Sequence, residues 1–203
     1  DMPSSKYINY GWTDTKGSSA VKYELNSEFT VTGDIDFYIV RRTALQVNFK
    51  TNTGASNSKF TRLNQKVGKG LTVTMPQVPV KTGYQSLGWS KSKKASKADY
   101  KAGQNVTVSK TLTLYAVYKK LPYTVTFNNN NGTSTSKIYT SLTMYASKNQ
   151  KVTLPDVPKV KGYANLGWTT EKGETEPEYS AGDTVKITKA TRFYAVRRKS
   201  NYY

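Results

Sequence analysis

The segment Gly-Tyr-x-x-x-Gly-Trp occurs as GYQSLGW from Gly83 and as GYANLGW from Gly162, and a diverged copy, KYINYGW, begins at Lys6. The tryptophans, Trp12, Trp89 and Trp168, are separated by 77 and 79 residues. A Tyr stands five residues before each (Tyr7, Tyr84, Tyr163), another eleven after (Tyr23, Tyr100, Tyr179), and a third twenty-six after (Tyr38, Tyr115, Tyr194). Apolar pairs fall between them at seventeen and nineteen: Phe29 and Val31, Val106 and Val108, Val185 and Ile187. Self-similarity at a fixed period marks a repeat array, and this period is long enough for each copy to be a small domain. A single such motif could be a ligand site; three at a regular interval are first an architecture.

The second and third copies also match upstream. Val47 and Phe49 answer Val125 and Phe127, Gly54 answers Gly132, and MPQVP (75–79) answers LPDVP (154–158). The first copy lacks this half, as expected of a fragment or of an atypical terminal repeat. The expected organisation is a partial repeat over 1–43, a full repeat over 44–120, a second full repeat over 121–199 and a tail over 200–203. Only RRTAL (41–45) and KKLPY (119–123) join one closing strand to the next opening strand, and Pro122 stiffens the second junction. Short junctions of this kind predict an elongated array.

Period-two alternation dominates. Leu45, Val47 and Phe49, like Tyr123, Val125 and Phe127, read as half-buried strands, as do TLTLYAVYKK (111–120), ATRFYAVRRK (190–199) and KIYTSLTMYA (137–146). No window of a dozen residues carries a helical stripe, so the chain is expected to be mainly β, α+β at most, with no more than a short helix per repeat. Gly54 and Gly132 mark turns between the first two strands. Asn26, Gly103 and Gly182 share one position in the repeat and predict a left-handed turn in all three copies. The Gly before each Trp predicts close backbone approach beside the ring.

Composition narrows the chemistry. There is no Cys and no His, which removes thiolate chemistry, disulfides, the commonest general base and His/Cys metal clusters. Among the carboxylates, Asp99 and Asp183 read as having no equivalents in the other copies. EKGETEPE (171–178) reads as a solvated loop whose spacing fits no standard calcium loop. These features argue against an enzyme and imply no cofactor or metal. A repeat under 80 residues without disulfides must build its core from aromatics, and 12% Phe, Trp and Tyr can supply it. The recurring Trp and Tyr positions read as core, with ligand stacking as the alternative.

The net charge of +18 is unevenly spread. Residues 1–43 carry five basic and six acidic side chains, 44–120 fourteen and one, and 121–203 twelve and six. Lys91, Lys93, Lys94, Lys97 and Lys101 crowd the stretch after Trp89, with Lys119 and Lys120 as a second group. Such density raises the local potential and would attract teichoic acids, sulfated glycans or nucleic acid; equally, it keeps an array soluble. Nucleic acid is the less expected partner, because the aromatics recur at core-like positions even where the charge is −1. No apolar run reaches the ~20 residues that cross a membrane.

The complete pattern is a Tyr-rich opening strand, an Asn/Gly turn, Pro-x-x-Pro, Gly-Tyr-x-x-x-Gly-Trp and a closing strand with Tyr-Ala-Val. It resembles the internalin B-type repeat, or Listeria–Bacteroides repeat, of bacterial surface proteins. YTVTFNNNNGT (123–133), LPDVPKVKGYANLGW (154–168) and RFYAVRRK (192–199) carry the likeness, with counterparts in the second copy. The closing strand departs from the family, placing Arg41, Tyr118 and Arg197 where Lys-Trp is common. The resemblance implies tandem β-grasp-like modules on an extracellular protein of the bacterial surface, serving as a spacer or stalk and as an adhesion or interaction segment. A host or cell-wall polymer or a protein receptor would be the partner, and no catalytic residue carries over.

Overall fold

The computed structural model describes residues 6–130 and 137–200. Its strands are β1 (Tyr7–Thr13), β2 (Tyr23–Glu24), β3 (Tyr38–Lys50), β4 (Gln65–Gly68), β5 (Thr72–Thr74), β6 (Tyr84–Ser90), β7 (Asn105–Thr107) and β8 (Leu112–Lys120). They continue with β9 (Tyr123–Asn128), β10 (Met144–Ala146), β11 (Gln150–Thr153), β12 (Tyr163–Thr169), β13 (Thr184–Ile187) and β14 (Thr191–Lys199). Helix is confined, among the described residues, to α1 (Ser58–Thr61) and a 3₁₀ turn at Thr140–Leu142. With 44% of the described residues in strand and 4% in helix, the chain is mainly β, as the alternation requires.

Two compact units divide it: one of the described residues up to Val80 with Ser86–Tyr118, the other of Lys81–Gln85 with the described residues from Lys119 on. In the second unit the sheet order is β10-β9-β14-β12, with β11 and β13 forming a separate pair. The opening strand β9 lies parallel to the closing strand β14, placing Phe127 beside Phe193. The inward residues Val125, Phe127, Val152, Leu154, Trp168, Ile187 and Phe193 make one buried cluster. The first unit repeats this plan: β3 runs parallel to β8 with Phe49 beside Leu114, β5 pairs β7, and Val47, Phe49, Val73, Met75, Trp89, Val108 and Leu114 form the core.

Residues 41–45 are not a linker. They lie inside β3, whose first half pairs antiparallel with β1 and whose second half pairs with β4 and β8. With no Pro or Gly between Tyr38 and Lys50, one strand serves two repeats, its inward positions changing phase at Ala44 and Leu45. The Tyr10 hydroxyl adds a tie by accepting from the Gly68 amide at 3.0 Å. At the second junction Pro122 has no N–H to offer a ladder, and β8 and β9 stop on either side of Leu121 and Pro122.

Residues 137–146 do not form one strand either. Met144–Ala146 pairs with β9 and Ile138 makes an isolated antiparallel bridge to Asn128, but the 3₁₀ turn between them interrupts the run. An unbroken strand would put Tyr139 and Leu142 on opposite faces. The turn brings Tyr139, Leu142 and Met144 all onto the core. Gly54 closes its expected turn through a bond from its amide to the Thr51 carbonyl; Gly132 lies outside the described residues.

Both backbone expectations hold. Asn26, Gly103 and Gly182 have φ of +64°, +80° and +88°. The Gly before each Trp is pressed onto its neighbour: a Cβ would stand 2.5 Å from the Tyr23 carbonyl oxygen at Gly11, and 2.2 Å from those of Tyr100 and Tyr179 at Gly88 and Gly167. The β1–β3 and β12–β14 registers slip immediately before this Gly, a bulge at the same place in both pairs.

Candidate functional site

The tryptophans come first. Trp89 and Trp168 are fully buried, and each indole N–H donates at 2.8 Å to a proline carbonyl, Pro76 or Pro155. Phe49 and Phe127 pack edge-on against them with centroids 4.6 and 4.9 Å away. A buried ring whose N–H already has its partner is a packing residue. Trp12, in the copy without an opening half, remains 39% exposed. Of the accompanying tyrosines, Tyr7, Tyr38, Tyr84, Tyr115 and Tyr194 are half-buried and Tyr163 is exposed.

Past each Trp the chain turns through a loop held by a side chain ten residues on. The Asp99 carboxylate accepts from the Lys91 amide and the Ser90 hydroxyl, both at 2.8 Å. Glu178 performs the same task, accepting from the Thr170 amide at 2.8 Å and its hydroxyl at 2.7 Å. Asp99 therefore does have an equivalent, one methylene longer. Asp183 has one in function: it accepts from the Ser180 amide at 2.7 Å, as Gln104 does from Lys101 at 3.0 Å. In the first copy the tenth residue is Lys22, and it pairs with Asp14 at the position of Lys91 and Thr170. That pairing holds Asp14 below the usual carboxylate range and raises Lys22. Asp99 is likewise lowered, by the Lys91 amide first and then the Ser90 hydroxyl.

The loop that Asp99 fastens presents the lysines. Lys91, Lys93, Lys94, Lys97 and Lys101 are all exposed. Lys91 leans over the Tyr100 ring at 5.5 Å, and its hydrogen bond with Tyr100 raises its pKa. Lys93, Lys94, Lys97 and Lys101 have no carboxylate partner among the described residues. Asp99, the sole acid of residues 44–120, is spent on the backbone. Lys119 and Lys120 are exposed at the end of β8, away from that loop in sequence, and with Pro122, Ser147 and Lys148 they line a separate shallow hollow. The corresponding loop of the last repeat carries Glu171, Glu174 and Glu176 instead, with Glu176 paired to Arg198 at 3.6 Å. Among the described residues no group of acids is arranged to hold a metal ion.

Twenty-nine residues after each Trp lies the position where the closing strand departs from the family. Tyr118 donates its hydroxyl to the Pro79 carbonyl at 2.6 Å, and Arg197 donates to the matching Pro158 carbonyl at 2.7 Å. Burial raises the Tyr118 phenol. Arg197 also donates to Asn129 at 2.8 Å, and to Asn165 and the Tyr139 hydroxyl at 3.0 Å. It floors a cleft of about 470 Å³ bordered by Asn129, Val160, Tyr163, Glu174 and Ala195. Arg41 instead covers the Tyr7 ring at 4.6 Å. Common spacing from the Trp was the available sign of both the tenth and the twenty-ninth positions; their roles depend on backbone acceptors that no side-chain pattern displays.

The Listeria-Bacteroides repeat domain model matches residues 46–117 and again 123–196. The chain belongs to this family. Two relatives come from Evansella cellulosilytica. One, named "Putative membrane protein", is 30% identical over 131 residues, covering 64% of this chain and 18% of that protein. The other, named "Putative Gly-rich membrane protein", is 26% identical over 182 residues, covering 88% of this chain and 19% of that protein. The chain thus spans under a fifth of either relative's length. No solved structure gives a significant match. Among the described residues no helix is long and apolar enough to cross a membrane.

Proposed function

We propose that this chain is a non-enzymatic repeat segment of a bacterial cell-surface protein, placed outside the cell, where β-grasp-like modules act as a spacer and an adhesion or interaction segment. One observation carries the reading. The recurring Trp, Gly and carboxylate positions of both full repeats are consumed by the fold: the indoles by proline carbonyls, the Gly before them by a neighbouring carbonyl, and the carboxylates by loop amides. The charge that differs most between copies, lysines after Trp89 against glutamates after Trp168, lies on an exposed loop, where binding surfaces on rigid scaffolds are usually found. The relatives named as membrane proteins fit a surface location. The parallel opening and closing strands are what a β-grasp-like module needs.

The unpaired lysines of the middle repeat favour a second, compatible reading, in which this loop binds an anionic polymer such as teichoic acid or a sulfated glycan. A loop fixed by its one carboxylate and edged with exposed ammonium groups loses little order on binding. The test is titration with a sulfated glycan and a teichoic acid at low and physiological salt, beside a variant with Lys91, Lys93, Lys94 and Lys97 changed to Glu. Binding that persists at physiological salt and disappears in the variant supports anion recognition. Absent or equal binding leaves these lysines as solubilising charge and the segment as a spacer.

A further inference from the structure

The partial repeat displays an unfinished core. Trp12, Phe29, Val31, Ile35 and Phe37 stand 36–64% exposed, whereas their positional equivalents in the last repeat, Trp168, Val185, Ile187, Thr191 and Phe193, are buried or half-buried. Tyr23, Phe29 and Phe37 pack together with centroids 5.0–5.3 Å apart, and with Trp12 they line an open cleft of about 220 Å³.

The backbone is unfinished in the same places. The closing strands of the full repeats begin at Leu112 and Thr191, but β3 begins three positions later in its repeat, at Tyr38. The skipped residues, 35–37, match those by which β14 takes β9 as a parallel neighbour. Residues 29–31 are in no strand, while β7 and β13 at that position each have an antiparallel partner. In the full repeats the left-handed turn also exchanges two bonds with the incoming chain: Gly103 donates to the Met75 carbonyl and Met75 to that of Gln104, and Gly182 and Leu154 do likewise with Leu154 and Asp183. The corresponding amide of Asn26 and carbonyl of Ser27 have no such partner among the described residues, and neither has the Trp12 indole N–H.

Both intact repeats show what fills this place. It is an extended strand with Val-x-Phe facing inward, followed by Val-Thr-Met-Pro or Val-Thr-Leu-Pro, whose proline carbonyl receives the indole N–H. We propose that the face formed by Trp12, Phe29, Val31 and Phe37 is a strand-acceptor site, and that its occupant is the opening half of a repeat of this same family, supplied by polypeptide outside the described residues. The strand would lie parallel to an extended β3 over residues 35–38. Its Phe would rest on Trp12, and its proline carbonyl would accept the Trp12 N–H. A second copy of this chain is the poorer occupant, since its own opening halves are already buried in its two cores.

The test joins a copy of residues 45–79 in place of residues 1–2, which sets the added proline ten residues before Trp12, the spacing of Pro79 to Trp89. Trp indole N–H exchange is followed by NMR, with the Trp12 resonance assigned through Trp12→Phe. Completion of the core slows Trp12 exchange by at least about 100-fold, as for a buried bonded N–H, and leaves Trp89 and Trp168 unchanged. A second fusion carrying Val47→Asp and Phe49→Asp in the added copy must lose this protection. Unchanged exchange in the first fusion overturns the proposal, as does equal protection by the Asp-bearing one. So does an unfused chain that sediments as a dimer with Trp12 already protected, which would make a second copy the occupant.

Discussion

Replacing each Trp in turn by Ala uses one motif as its own control. Trp168 is fully buried, bonded to Pro155 and flanked by Phe127. Its removal costs transfer free energy, opens a cavity and strands a carbonyl, together about 3–5 kcal/mol. Trp12 is 39% exposed above a cleft open to water. Trp12→Ala forfeits only part of the transfer term and leaves no sealed void, so about 1–2 kcal/mol is expected. The gap of roughly 2 kcal/mol or more is the quantity to measure. With two compact units a single melting curve need not be two-state, so hydrogen exchange read peptide by peptide is the assay. Trp168→Ala should accelerate exchange across Phe193–Val196 and spare Val47–Lys50. Trp12→Ala should affect β1 and the neighbouring half of β3 mildly. Equal losses from the two substitutions would refute the assignment of Trp12 to an unfinished core.

Two further outcomes follow from backbone contacts. Asp99 is depressed in the folded chain, so its contribution is complete above the unfolded value of about 3.9 and is lost as pH falls through the lower folded one. Asp99→Asn should therefore be less stable than the parent at pH 6, with the gap closing towards pH 2 in acid-unfolding curves; a gap independent of pH refutes the role. Gly182→Ala meets nothing within 4 Å and should cost about 1–2 kcal/mol for its left-handed φ alone. Gly167→Ala, whose Cβ would lie 2.2 Å from the Tyr179 oxygen, should cost clearly more in denaturant titrations.

The fold was legible where position in the repeat stood for structure. Spacing from the Trp located the core ring, the left-handed turn and the crowded Gly, because each needs one residue type whatever its surroundings. It could not show that residues 41–45 are continuous strand, since the apolar phase changes at Ala44–Leu45 and such a break reads alike whether the backbone is paired or free. Nor could it show that 137–146 is broken: the choice between a strand and a 3₁₀ turn rests on which side chains reach a core assembled from distant segments. Asp99 and Glu178 escaped recognition as equivalents because an identity comparison separates Asp from Glu, whereas an amide in need of an acceptor does not. The lysine loop was visible as composition. Its attachment through Asp99 was not, since the partner of that carboxylate is a backbone amide.

The twenty-ninth position shows how such a repeat can vary its surface without altering its frame. The frame presents a proline carbonyl beside the closing strand, and that acceptor must be met by a donor or by water. Tyr118 meets it with a hydroxyl and stays neutral; Arg197 meets it with one arm of a guanidinium and spends the others on Asn129, Asn165 and Tyr139. The same backbone requirement therefore yields an uncharged, half-buried ring in one repeat and a cation at the floor of a cleft in the next. In the first copy Arg41 lies over the Tyr7 ring. The tenth position follows the same logic, with Asp, Glu or a Lys–Asp pair holding one loop while the charge around it changes sign. Because the scaffold requires a hydrogen bond rather than a residue, substitution at these places changes what the surface can bind while the buried Trp, Phe and Gly keep the architecture.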